Sequence, residues 1–195
     1  EATLVFELPQ DQALAQLQRW GGQPLPLNAS CWVRDDTVSP APELLFVRLR
    51  GAVAAVESAC ARMLQDLPGQ RMDNAQAGPD WAACRDQRLP FFDAPAPDLA
   101  LWRLSVAPAA PALGLPWAQL IEWHGGQRWL WAPVDASEGL RAAAASAGGH
   151  ASLFRPPTAG LAPDVPRQAP AAGALAAIEQ RLRQAFDPAH TFSQA

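Results

Sequence analysis

The 195-residue sequence contains no lysine and no tyrosine, so all 15 of its basic residues are arginines. That bias fits an Arg- and Ala-coding genome and carries no mechanism by itself. The formal charge is −4, which leaves no basic face of the kind nucleic-acid binding requires. Cysteine is scarce: Cys31, Cys60 and Cys84 are odd in number and widely spaced, which fits neither a disulfide framework nor a C-x-x-C metal pair. Cys60 falls on the apolar stripe of a predicted helix, where a small buried hydrophobe is the ordinary role. The expectation is a cytoplasmic chain with reduced thiols. No apolar run approaches the ~18 residues of a membrane span, and no signal peptide is visible. Also missing are G-x-G-x-x-G after a strand, a Walker phosphate loop, a G-x-S-x-G elbow, H-E-x-x-H and a metal-spaced acidic cluster. On motifs alone the sequence does not read as an enzyme.

What is present reads as a folded domain. Hydrophobic residues make up 49% and charged residues 17%, while 20 prolines and 13 glycines punctuate periodic segments. Thr3–Leu8 alternates as a strand, and Pro9 opens a helix to about Trp20 with Leu14 and Leu17 inward. Strands follow near Ser30–Arg34 and Leu44–Arg50. A helix over Ala52–Leu64 puts Val53, Val56, Cys60 and Met63 on one stripe, and a short strand lies near Gln70–Met72. That order is the split βαβ, or ferredoxin-like, pattern. It recurs after an inserted helix, Trp81–Arg88. The second run has a strand at Leu99–Ala107, a Pro-rich crossover and a hairpin of Ala118–His124 with Gln127–Ala132 around Gly125-Gly126. A helix at Ser137–Ala147 and a strand at His150–Arg155 complete it. Asp135 and Glu138 have the spacing of a capping box, and Gly148 suits a left-handed helix end. The fold class expected is therefore α+β: tandem ferredoxin-like units with an antiparallel sheet covered by helices, plus a C-terminal helix. Residues 1–155 form one domain with halves 1–75 and 98–155. Residues 156–173 are a Pro/Ala-rich linker, and 174–195 a helix and tail with Leu175, Ile178, Leu182 and Phe186 on one face.

The hairpin is the densest polar constellation. A two-residue turn places His124 opposite Gln127, Trp123 opposite Arg128 and Glu122 opposite Trp129. On that register Arg128 can stack on Trp123, and Glu122 with His124 can act as an acid/base pair; a solvated strand end with one stacked arginine is the plainer alternative. Arginine recurs on strands, at Arg48, Arg103, Arg128 and Arg155, and a planar guanidinium suits bidentate carboxylate binding. Arg103 shares a face with Leu101 and Ser105, opposite Trp102, Leu104 and Val106. His150, after Gly148-Gly149, can serve as a base, a metal ligand or a hydrogen-bonding cap.

Several segments together carry a family resemblance: the opening Glu1–Leu8 with Leu25-Pro26-Leu27 and Ser30-Cys31-Trp32, then Leu101–Val106. Ile121-Glu122-Trp123 with Gln127–Leu130, Gly149–Arg155, and Ala185-Phe186-Asp187-Pro188 with Phe192 complete the set. In this order they resemble the C-terminal part of the FAD-binding subunits of bacterial glycolate oxidases, within the vanillyl-alcohol-oxidase-type flavoproteins. The resemblance implies a substrate-side cap with a C-terminal return segment, cut away from an N-terminal FAD domain and inactive alone. It implies FAD in the whole protein, a small 2-hydroxy acid as substrate, and a sister FAD subunit and an iron–sulfur subunit as partners. It also implies a cytoplasmic setting, with membrane association through the complex. Carried onto this sequence, the candidate wall residues are His150, Arg103, Arg128, Glu122 and His124, with Asp187 and Phe192 toward the cofactor and no metal. The alternative is a subunit-docking module without a catalytic role, which the eight tryptophans would suit.

Overall fold

The computed structural model describes residues 1–35, 39–159, 165–169, 173–189 and 191. The chain runs β1 (Ala2–Glu7), α1 (Gln10–Gly21), β2 (Leu27–Arg34), β3 (Glu43–Leu49), α2 (Val53–Asp66), β4 (Gln70–Met72) and α3 (Asn74–Arg85). It continues with β5 (Ala100–Ser105), β6 (Gln119–Glu122), β7 (Gln127–Ala132), α4 (Ser137–Ser146), β8 (His150–Arg155) and α5 (Gly173–Phe186). The eight strands form one sheet in the order β4-β1-β3-β2-β6-β7-β5-β8, antiparallel throughout. The first four follow the ferredoxin-like order, and the last four mirror it across the β2–β6 seam. The expected fold class is what the chain adopts.

Alternation along the strands sorts side chains to two faces. On one, Leu4, Phe6, Leu45, Val47 and Leu49 meet Leu14, Leu17 and Trp20 of α1 and Val56, Cys60 and Met63 of α2. Trp102, Leu104, Leu130, Ala132 and Leu153 continue that face and take Leu140 and Ala144 of α4. Each fully buried side chain of this size contributes about 1.5–3 kcal/mol, so this face holds the fold together. The other face carries Cys31, Leu101, Leu120 and Trp129 and is covered by Cys84 of α3 and Phe92 of the following segment.

The halves differ in their first connection. In the first half α1 joins β1 to β2. In the second, residues 106–118 form no helix, because Pro108, Pro111 and Pro116 remove donors and clash with helical geometry. This extended crossover still packs inward through Ala110, Leu113 and Leu115. Its buried carbonyls have no helical partner and need another donor. Arg128 supplies it: Nη2 donates to the Ala110 carbonyl and Nη1 to the Pro111 carbonyl, both at 2.7 Å.

Three local expectations are corrected, and a fourth holds. The inserted helix α3 begins at Asn74, because the Asp73 carboxylate caps it by accepting from the Ala75 amide at 2.9 Å, and Pro79 sits inside it. Val53 is the first residue of α2 and is 79% exposed, so it is no part of the buried stripe. The Asp135/Glu138 capping box does not form, since a 3-10 turn over Val134–Ala136 leads directly into α4. Gly148 does take the expected left-handed conformation, with φ 73°. Beyond β8, Leu153 N donates to the Arg167 carbonyl, so part of the linker lies along the sheet edge.

Candidate functional site

The β6–β7 register places Glu122 opposite Gln127, Ile121 opposite Arg128 and Leu120 opposite Trp129. This corrects the two-residue turn: the connection is Trp123-His124-Gly125-Gly126, with left-handed φ of 52°, 53° and 98° at its first three residues. Several anchors hold this costly backbone. Ser30 Oγ accepts from the His124 amide at 2.9 Å, and Arg128 Nε donates to the Gly125 carbonyl at 3.2 Å. Gly125 lies so near the Pro108 carbonyl that a Cβ would approach it to 2.9 Å. Because the pairing moves by two residues on one strand, the faces of the strand residues are unchanged.

Adjacent pairings align Cys31, Glu122, Gln127, Ser105 and His150 in one row across β2, β6, β7, β5 and β8. The next row on the same face holds Leu120, Trp129, Arg103 and Ser152. Arg103 and His150 are therefore diagonal neighbours, about 7–8 Å apart at the backbone. Three candidates, Glu122, Arg103 and His150, share this face. Arg128 lies on the other, fully buried, with its guanidinium committed to three carbonyls. It stands clear of any site on the Arg103 face, and it does not stack on Trp123, which is 68% exposed. His124 sits in the turn, half-buried, with Nδ1 buried and unpartnered. Burial pushes its pKa below the ordinary histidine value.

Glu122 does not pair with His124. Its carboxylate accepts from Trp129 Nε1 at 2.6 Å, Gln127 Nε2 at 3.1 Å and Cys84 Sγ at 3.2 Å. Trp129 is locked in turn by edge-on contacts with Phe92 and Phe154, centroids 5.5 and 4.9 Å away. Arg103 is held differently. Its guanidinium lies 5.6 Å from the Phe154 ring centre, and its Nε is buried without a partner. Beside it, Ser152 Oγ is also buried and unpartnered.

Two cavities open on this face. The larger, of about 640 Å³, is walled mainly by apolar groups such as Phe46, Trp81, Phe91 and Trp131, and no candidate residue lines it. The smaller, of about 600 Å³, is lined by Arg103, Glu122, Gln127 and Trp129, with Trp123 at its edge. The second combines a guanidinium with fixed polar and aromatic walls, so it is the better site for a small acid. His150 is exposed and stands outside its lining. Sequence reasoning passed over Ser105, Ser152, Gln127 and Cys84 as site residues. The strand residues among them were open to register counting, but Cys84 required knowing where α3 lands.

Asp187 accepts from the Thr191 amide at 2.7 Å, ending the turn after α5. Phe192 lies outside the described residues. No described helix is long and apolar enough to cross a membrane, and no cluster of His, Cys, Asp or Glu among the described residues suits a metal ion.

No family model matches the sequence, and no solved structure matches it. Glycolate oxidase subunit GlcE of Escherichia coli (strain K12) is 34% identical over 187 residues, which is 96% of this chain and 46% of that protein. The chain thus spans about half the length of the curated relative it matches. The identity runs through both halves of the sheet and agrees with the resemblance read from the sequence. This chain is similar in sequence, along nearly its whole length, to a glycolate oxidase subunit.

Proposed function

We propose that this chain is the substrate-side cap of an FAD-dependent glycolate oxidase subunit, forming one wall of the site at which a small 2-hydroxy acid is oxidised. The carrying observation is the diagonal pairing of Arg103 and His150 on the open sheet face, with Arg103 Nε buried and unpartnered. Arg103 binds the substrate carboxylate through its planar guanidinium, which Phe154 holds in place. His150 then lies on the hydroxyl side and accepts the hydroxyl proton. Glu122, fixed by three donors, shapes the floor, and Trp129 excludes water. The redox group is held outside these residues, so this chain alone is colourless and inactive. In the assembled oxidase, His150→Gln is expected to lower kcat by roughly 10²–10⁴ with glycolate affinity nearly kept. A loss of less than about threefold would remove His150 from the chemistry.

One observation favours a second, docking role. Ile178, Leu182 and Phe186 of α5 are 45%, 51% and 82% exposed, an apolar stripe with no cover among the described residues. We propose that it packs against the remainder of the glycolate oxidase subunit, with the sister FAD and iron–sulfur subunits completing a cytoplasmic complex. Phe186→Asp should abolish that association in co-purification, and retention of the complex would discard the docking role. Among the tryptophans, Trp123 is 68% exposed and open to a partner, whereas others are not. Trp20, Trp32, Trp102 and Trp129 are buried, and Trp131 is tied to the Phe91 carbonyl at 2.8 Å.

A further inference from the structure

Cys31 on β2 and Cys84 on α3 meet where the helix lies over the sheet. Cys31 is the cross-strand neighbour of Glu122, and Cys84 Sγ donates to that same carboxylate at 3.2 Å. Both cysteines therefore converge on Glu122. Both belong to one apolar cluster and are 4% and 5% exposed, yet both line the larger cavity, which admits a small oxidant. Cys60 is buried between α2 and the opposite face and has no part in this contact.

We propose that Cys31 and Cys84 are the reduced form of a disulfide clamp that fastens α3 to the sheet when a peroxide reaches them. One thiol attacks hydrogen peroxide, giving a sulfenic acid and one water. The second thiol attacks that sulfur, forming the S–S bond and releasing a second water. Two thiols are oxidised, one peroxide is reduced, and the two thiol hydrogens leave in water. The clamp joins an α3 residue that walls both cavities to the strand beneath it. It also removes the donor that Glu122 Oε1 now accepts from. The neighbouring Cys31 thiol, burial and Glu122 together push the Cys84 pKa up, so little thiolate exists at neutral pH and closure is slow. The same property makes Cys84 a poor leaving group, so the closed clamp resists reduction by attack on the Cys31 sulfur. None of this depends on the substrate proposed above.

The link can be read in the unaltered chain. With no lysine present, trypsin cuts only at arginine and places each cysteine in its own peptide: Trp20–Arg34, Gly51–Arg62 and Met72–Arg85. The purified chain treated with hydrogen peroxide and digested without reductant should yield Trp20–Arg34 joined to Met72–Arg85, with Gly51–Arg62 free. The oxidised protein should melt roughly 5–10 °C higher, reversibly on prolonged reduction. Cys60→Ser should leave the link intact and Cys84→Ser should remove it. Sulfinic or sulfonic acid at Cys31 or Cys84 without a link, a link through Cys60, or a lowered melting temperature would each overturn the clamp.

Discussion

The sheet face carrying Leu4, Val47, Trp102 and Leu130 is sealed by α1, α2 and α4, whereas the face carrying Glu122, Arg103 and His150 is only partly covered, by α3 and the segment after it. Arg128 on β7 and Arg103 on β5, neighbouring strands, point to opposite faces. Arg128 is fully buried and satisfies carbonyls of a crossover that prolines keep from being helical. Arg103 is half-buried, propped on Phe154, and keeps an unpartnered nitrogen beside a cavity. One side chain type thus serves folding on one face and, in the proposed function, recognition on the other. Burial and the partners already engaged decide which.

Substitutions should separate the two roles. Arg128→Met is expected to cost about 3–5 kcal/mol or prevent folding, because buried carbonyls lose their donors; urea melts measure it. Trp129→Phe keeps the aromatic packing but removes the 2.6 Å bond to Glu122, and should cost about 1.5–3 kcal/mol in the same assay. Trp123→Gly runs the other way. Its φ of 52° suits glycine, so stability should rise by up to about 1 kcal/mol. A loss there would mean that the indole packs usefully.

The smallest effect is a pH dependence at His124. Burial lowers its folded pKa below the ordinary value of 6.5, so the unfolded chain takes up the proton first as pH falls. Stability from this residue is complete above about pH 6.5 and declines as pH drops toward the lower folded value. His124→Asn, which tolerates a left-handed φ, should flatten that slope in melts spanning roughly pH 5 to 7.

Period-two alternation made much of the candidate site legible. It placed Arg103 with Leu101 and Ser105, and it kept Glu122 and Trp129 on one face although the turn is longer than its two glycines suggest. Nothing in Trp123-His124 signals a left-handed backbone, which tertiary anchors at Ser30 and Pro108 impose. The start of α3 was hidden by Pro79, a residue that ordinarily ends helices. The role of Arg128 was out of reach for the same reason as that of Cys84: each depends on a segment distant in sequence lying alongside it. Strand arginines look alike until the carbonyls they meet are known.

The most direct measurement is glycolate turnover by the assembled oxidase carrying Arg103→Met, with its melting temperature recorded on the same preparation. If the open face binds the substrate carboxylate, KM should rise at least about 100-fold, on the order of 2.7 kcal/mol of lost binding, while the melting temperature moves by no more than about 2 °C. An unchanged KM, or a loss of activity that tracks a loss of fold, would contradict the assignment of the open face to substrate.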